Sequence, residues 1–231
     1  MSKIAEDVAK VREHVEATIG SDPGQWTKWP GGWPDDIESA LIDAVFSARA
    51  VYRTKHGRGI YRNVGDWQKR RGRVTFSLDA LIAEINAVGV PAWAASFGNS
   101  QVSPGRREDA PCGPTKAAAV REAADKLRKE GVNVARNIDV STAANVKSTL
   151  RSVSGIGYAT SNYFLMLLGV PGIKPDRMIH RFLKDAAGRA FSNAYAVGVL
   201  RAVAAHSGVP GHELDHAIWR YESERASQQP C

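Results

Sequence analysis

The chain has 231 residues, 43% of them hydrophobic and 24% charged, and a formal net charge of +7. That is the make-up of a globular protein with a real core, and the positive balance favours a polyanionic partner. Its two cysteines exclude a disulfide framework and fit a reducing cytosol, and no apolar run is long enough to cross a membrane.

Residues 3–19 place Ile4, Val8, Val11, Val15 and Ile19 at spacings of three and four, one apolar stripe of a helix that Gly20 and Pro23 end. This charged amphipathic start does not read as a signal peptide. Residues 21–35 hold three of the six tryptophans, Trp26, Trp29 and Trp33, between glycines and prolines. Two roles fit them, a plug that pins the loop to the core or an aromatic wall that stacks on a base or a sugar.

Residues 36–52 read as a helix with Ile37, Leu41, Ala44, Val45 and Ala48 on its buried stripe. Residues 53–73 carry eight basic side chains, Arg53, Lys55, Arg58, Arg62, Lys69, Arg70, Arg71 and Arg73, against the single acid Asp66. Tyr61 and Trp67 are interleaved with them, just after Tyr52. A charge run of this kind is either a solvated face or a phosphate track, and the aromatics favour the track. A helix over 77–88 is closed by Gly89, and residues 98–113, polar and rich in Gly and Pro, read as a surface loop. Pro114 opens a helix that runs to Glu130, supported by the pairs Glu122–Lys126 and Asp125–Lys129.

The next stretch organises the rest. Ser141 to Val153 is helical, with Val146, Leu150 and Val153 in register. Gly155-Ile156-Gly157 makes a tight turn into a second apolar helix. A Gly/Pro link follows from Gly169 to Pro175, and Asp176 opens a further helix, nineteen residues after Gly157. A Gly-x-Gly turn at a helix start presents backbone N–H groups with no side chain in the way, which suits a phosphate. Helices over about 192–206, capped by Ser192, and 211–225 complete the chain. With no stretch of sustained alternation, the fold class expected is all-α.

This unit resembles the helix-hairpin-helix DNA glycosylase superfamily. Its endonuclease III-like members carry a Gly-hydrophobic-Gly hairpin followed, at a similar interval, by an essential aspartate. The resemblance is specific over 141–183 and looser over 36–135. It implies a two-lobed all-α fold with a DNA cleft between lobes. One lobe is a helical bundle over 36–170 that contains the hairpin unit at about 141–168; the other joins 1–35 to 171–231.

What the resemblance implies for function is a DNA glycosylase that flips a modified base from double-stranded DNA and hydrolyses its N-glycosidic bond. Asp176 would be the catalytic carboxylate, stabilising the cationic sugar as the base leaves. Gly155, Gly157, Tyr158 and Thr160 would hold the DNA backbone, with Arg70, Arg71 and Arg177 as further DNA contacts. Phe46-Ser47-Ala48-Arg49 is similar to a stretch whose polar residue fills the gap left by the flipped base, a place that Arg49 occupies. The base pocket would draw on Trp29, Trp33, Asp43, Phe46 and Tyr52. Bifunctional members have a Schiff-base lysine where this chain has Ala159, so a monofunctional enzyme that leaves an abasic site is expected. Lys147 and Lys174 read as solvated surface. Some relatives hold an iron–sulfur cluster on four cysteines, which two cysteines cannot build, so no cofactor is expected. A monomer acting on cytoplasmic, nucleoid-associated DNA of a bacterium follows. Its role would be base excision repair or, if the tryptophans accept an enlarged base, restriction of phage DNA carrying a hypermodified, glucosylated cytosine.

Two alternatives come from other classes. A non-catalytic DNA-binding module would use the hairpin without needing Asp176. His212-Glu213-Leu214-Asp215-His216 matches the zinc-protease signature H-E-x-x-H. Against that match, His212 sits in the first helical turn, and the apolar stripe of Leu214, Ala217, Ile218 and Tyr221 already explains the helix as a packing element.

Overall fold

The structure, a computed structural model, describes residues 2–50, 52, 59–72, 75–97, 102–107 and 110–228. The basic positions Arg53, Lys55, Arg58 and Arg73 lie outside the described residues. The protein is all-α, with eleven α-helices among the described residues. The chain forms two compact units, Met1–Gly31 with Pro171–Cys231, and Gly32–Val170.

The Gly32–Val170 unit is built around the helix α2 (Ile37–Phe46), every residue of which is buried. It packs against α3 (Ile60–Arg71), α6 (Lys116–Lys129) and α8 (Tyr158–Leu167). Its start is fixed by Asp36, whose carboxylate accepts the N–H of Ser39 at 2.9 Å. The helix stops six residues short of the expected end. The Lys116 ammonium, buried, donates to the carbonyls of Phe46 at 2.9 Å and Ala48 at 2.5 Å, satisfying the helix's terminal acceptors. Burial pushes the pKa of Lys116 down to about 8. Arg49 then takes a φ of 55°, the one positive φ among the described non-glycine residues.

Two further helices of this unit were not expected from the sequence. In α3 only Ile60, Val64 and Trp67 are buried, a stripe hidden among basic residues. The short α5 (Val90–Ser96) follows α4 (Leu78–Val88) after the turn at Gly89. The expected loop over 98–113 contains an antiparallel hairpin, β1 (Val102–Arg107) with β2 (Ala110–Thr115), in the register Val102↔Thr115, Pro104↔Cys112, Arg107↔Ala110. Thr115, not Pro114, caps α6, accepting the N–H of Ala118 at 3.1 Å. The two expected surface pairs of α6 form, Lys126–Glu122 at 2.9 Å and Lys129–Asp125 at 2.7 Å.

Residues 32–35 fall in this unit, where the sequence reading had placed them with the terminal lobe. Trp33 N–H donates to Leu167 O at 2.6 Å, and a Cβ on Gly32 would stand 2.3 Å from the same oxygen. Only glycine lets the chain cross the end of α8 this closely.

The second unit packs α1 (Lys3–Thr18) against α9 (Arg177–Ala187) and α10 (Asn193–His206), and α11 (Gly211–Gln228) against α9 and α10. Val11, Val15, Phe182, Leu200, Val203 and Ile218 make much of its core. The buried face of α1 includes Asp7 in place of the expected Ile4, which is 44% exposed. Asp7 accepts from the Tyr195 hydroxyl at 2.7 Å and pairs with Arg189, so the buried carboxylate is matched. Among the described residues no single helix is long and apolar enough to cross a membrane.

Candidate nucleic-acid interface and carboxylate site

In the Gly32–Val170 unit, α7 (Ala143–Arg151) and α8 are joined by the glycine turn. Gly155 has φ +88°, a conformation that demands glycine. Gly157, the N-cap of α8, has an ordinary φ of −103°, and a Cβ there would meet nothing within 4 Å. Among the described residues nothing therefore requires glycine at 157. With no side chain at the cap, no side-chain bond closes the N-terminus of α8. Its first-turn N–H groups, at the positive end of the helix dipole, face an exposed glycine.

Cations border this turn. The Arg151 guanidinium lies 5.3 Å from the centre of the Tyr158 ring. Lys126 donates to Ser152 Oγ at 3.1 Å and Ser152 O at 3.3 Å, which holds an ammonium against the turn. Tyr158 and Thr160 are half-buried on the first turn of α8, and Ala159 stands between them.

The same unit carries a cluster of aromatic rings around a buried carboxylate. Asp43 of α2 is fully buried. Its Oδ2 accepts the indole N–H of Trp33 at 2.9 Å and the hydroxyl of Tyr52 at 3.0 Å. Tyr61 stands 6.1 Å from each of the Trp33 and Tyr52 rings and is 41% exposed. Three pocket residues expected from the sequence, Trp33, Asp43 and Tyr52, are thus brought together; Tyr61 was not among them.

Phe46 is not part of this cluster. It is 1% exposed and packs on Trp93 and Phe97, with ring centroids 6.0 and 5.3 Å away. It faces the core because α2 is buried on every side. Arg71 is also redirected. Its guanidinium forks onto the buried Glu38, Nε to Oε2 at 2.8 Å and Nη2 to Oε1 at 3.0 Å, and reaches Glu84 at 3.3 Å. Those bonds leave it little to offer a phosphate. Arg70 is exposed, lying over Trp67 and Phe97, and Arg49 is exposed just past the end of α2.

In the other unit, Asp176 is the N-cap of α9. Its Oδ1 accepts the N–H groups of Met178 at 2.9 Å and Ile179 at 3.2 Å. Its Oδ2 lies 3.4 Å from the Lys174 ammonium. One oxygen is tied to the helix and the other lies beside the Lys174 ammonium, so the carboxylate is held in one orientation. Lys174 corrects the sequence reading. It is not solvated surface, because its side chain is only 19% exposed and its own N–H donates to Asp215 Oδ2 at 2.5 Å. Asp215 is buried, and burial pushes its pKa up to about 7. Neither residue was singled out by spacing, since they lie far apart in sequence. Arg177, the first residue of α9, is exposed.

Trp29 also belongs to this unit. Its N–H donates to Glu213 Oε2 at 3.2 Å, and its ring lies 5.2 Å from the His212 imidazole. His216 stacks instead on Trp219, with centroids 5.9 Å apart. Two members of the H-E-x-x-H stretch thus pin the tryptophan loop. Among the described residues no group of three or more His, Cys, Asp or Glu is placed to hold a metal ion.

The chain belongs to a family described as a domain of unknown function (DUF8548), whose model matches residues 9–223. No curated protein and no solved structure matches it.

Proposed function

We propose that this DUF8548 member is a monofunctional DNA glycosylase acting on double-stranded DNA. The observation that carries the reading is the α7–α8 turn, where an uncapped helix N-terminus is exposed through a glycine that the fold itself does not need. A phosphate oxygen seated on those N–H groups, with Arg151 and Lys126 beside it, fixes the DNA backbone without reading sequence.

The chemistry falls to Asp176. As the bond between C1′ and the base nitrogen breaks, its electron pair leaves with the base, which takes up a proton. The sugar becomes cationic, and the negative Asp176 carboxylate stabilises that charge. A water oxygen then bonds to C1′ and passes its proton to the carboxylate or to solvent, leaving an abasic site. Ala159 offers no amine for a Schiff base, which supports hydrolysis without strand cleavage. Within the Gly32–Val170 unit, the rings of Trp33, Tyr52 and Tyr61 beside the Asp43 carboxylate offer flat faces suited to stacking on a base.

The test is a panel of duplexes carrying uracil, 8-oxoguanine, alkylated purines or glucosylated hydroxymethylcytosine, each treated with alkali after incubation. Alkali-labile sites at one modified base support the reading. Tight DNA binding with no labile site on any duplex favours the non-catalytic DNA-binding module.

A further inference from the structure

Lys174, Asp176 and Asp215 form a chain of contacts inside one unit, and only Asp176 has a part in the reaction so far. Asp215 sits on the second turn of α11, buried, with its Oδ2 on the Lys174 N–H at 2.5 Å. The start of α11 is pressed against the link that precedes α9, since a Cβ on Gly211 would stand 3.1 Å from Ile173 Cγ1. The link is thus anchored by a carboxylate at one point and by packing at another. Two residues on, it delivers Asp176, and the Lys174 side chain turns back to Asp176 Oδ2 at 3.4 Å.

We infer that Lys174 and Asp215 are positioning residues for the Asp176 carboxylate, Asp215 holding the link through the Lys174 backbone N–H and Lys174 setting its ammonium beside Asp176. The inference rests on the glycosylase reading for its consequence, but its geometry stands apart from that reading. With Asp215 ionised, the three side chains carry one net negative charge; with it protonated, they carry none. A cationic sugar forming at Asp176 is favoured in the first state.

The surroundings leave few other charges to act on Asp215. Burial raises its pKa most, Lys174 lowers it by its charge and its N–H, and Asp176 raises it. On its own helix, Glu213 is engaged by the Trp29 N–H, His212 by the Trp29 ring and His216 by Trp219. On α9, His180 bonds Asn193, Arg181 pairs with Glu222, Asp185 pairs with Arg225, and Arg177 and Lys184 are exposed. On α10, Arg201 and His206 are exposed. Proton uptake at Asp215 is therefore read chiefly by Lys174 and Asp176.

The experiment has two arms on the full chain. In the first, the Asp215 carboxyl is titrated by carbon NMR, its signal assigned by its loss in Asp215→Asn. The midpoint near pH 7 should rise in Lys174→Met and fall in Asp176→Asn. A midpoint that neither substitution moves overturns the inference, whatever the protein does to DNA. In the second arm, single-turnover excision of the preferred base should rise with pH through about 7 in the wild type. Asp215→Asn, whose amide oxygen still accepts the Lys174 N–H, should flatten that limb and slow the chemical step about tenfold with DNA affinity unchanged, and Asp215→Glu should restore the limb. A limb that persists in folded Asp215→Asn overturns the inference while leaving the glycosylase reading intact. If the wild type excises no base, the glycosylase reading fails and the titration decides the side-chain linkage alone.

Discussion

Arg71 grips Glu38 with two parallel bonds of 2.8 and 3.0 Å, and Glu38 is fully buried. Its neighbour Arg70 is exposed over two aromatic rings. Two adjacent arginines of one basic run therefore have opposite roles. Arg71→Ala leaves a buried carboxylate without its cation and should cost about 3–5 kcal/mol in denaturant unfolding. Arg70→Gln should leave stability nearly unchanged and reduce the log–log salt slope of DNA binding by about 0.9. An unchanged slope would return Arg70 to solvated surface.

The two glycines of the turn separate in the same way. Gly155→Ala forces a side chain into φ +88° and should destabilise the fold by about 1–2 kcal/mol. Gly157→Ala meets no atom within 4 Å and has an ordinary φ, so stability should hold or rise slightly. On the proposed reading its DNA affinity should nonetheless fall, because the added methyl group would stand in the path of a phosphate. Equal affinities for Gly157→Ala and the wild type would remove the turn from the DNA interface.

Asp176→Asn keeps an oxygen that can cap α9, so the variant should fold and bind DNA. Excision should drop by about 10²–10³-fold or more, the loss expected when a main charge stabiliser is neutralised. Near-wild-type excision by the folded variant would refute the assignment.

Borohydride should trap no covalent adduct with DNA, since Ala159 stands at the Schiff-base position, and strands should break only on alkali or heat. If an adduct does form, the Lys174 amine, 3.4 Å from Asp176, is the first candidate to map.

Asp215 also makes a prediction about stability. Its carboxyl is raised from an ordinary 3.8 to about 7 by burial. Between those values the folded protein keeps a proton that the unfolded chain has released, so stability falls as pH rises from 4 to 7. The contribution is up to about 4 kcal/mol, at roughly 1.4 kcal/mol per pH unit. Urea unfolding across that range should show the slope in the wild type and lose it in Asp215→Asn. The same slope in both proteins would place the titration on another group.

Periodicity and end signals alone determined most helices of this protein. Ser192 and Asp176 cap α10 and α9, Gly89 ends α4, and the apolar spacing of residues 143–151 and 158–167 makes α7 and α8. These are local effects, settled by bonds within a turn or two of the residue concerned. The glycine turn and Asp176 were legible for the same reason. The tertiary structure decided what each buried polar group meets. Asp7 found Tyr195 and Arg189, Glu38 found Arg71, and Lys116 closed α2 early at Phe46. It moved Phe46 from the expected pocket into the core, and it brought Lys174 to Asp215 across 41 residues of sequence. A sequence pattern marks which face of a helix is buried, but a buried charge is stabilised only by the partner that packing delivers, and that partner is set by which helices meet.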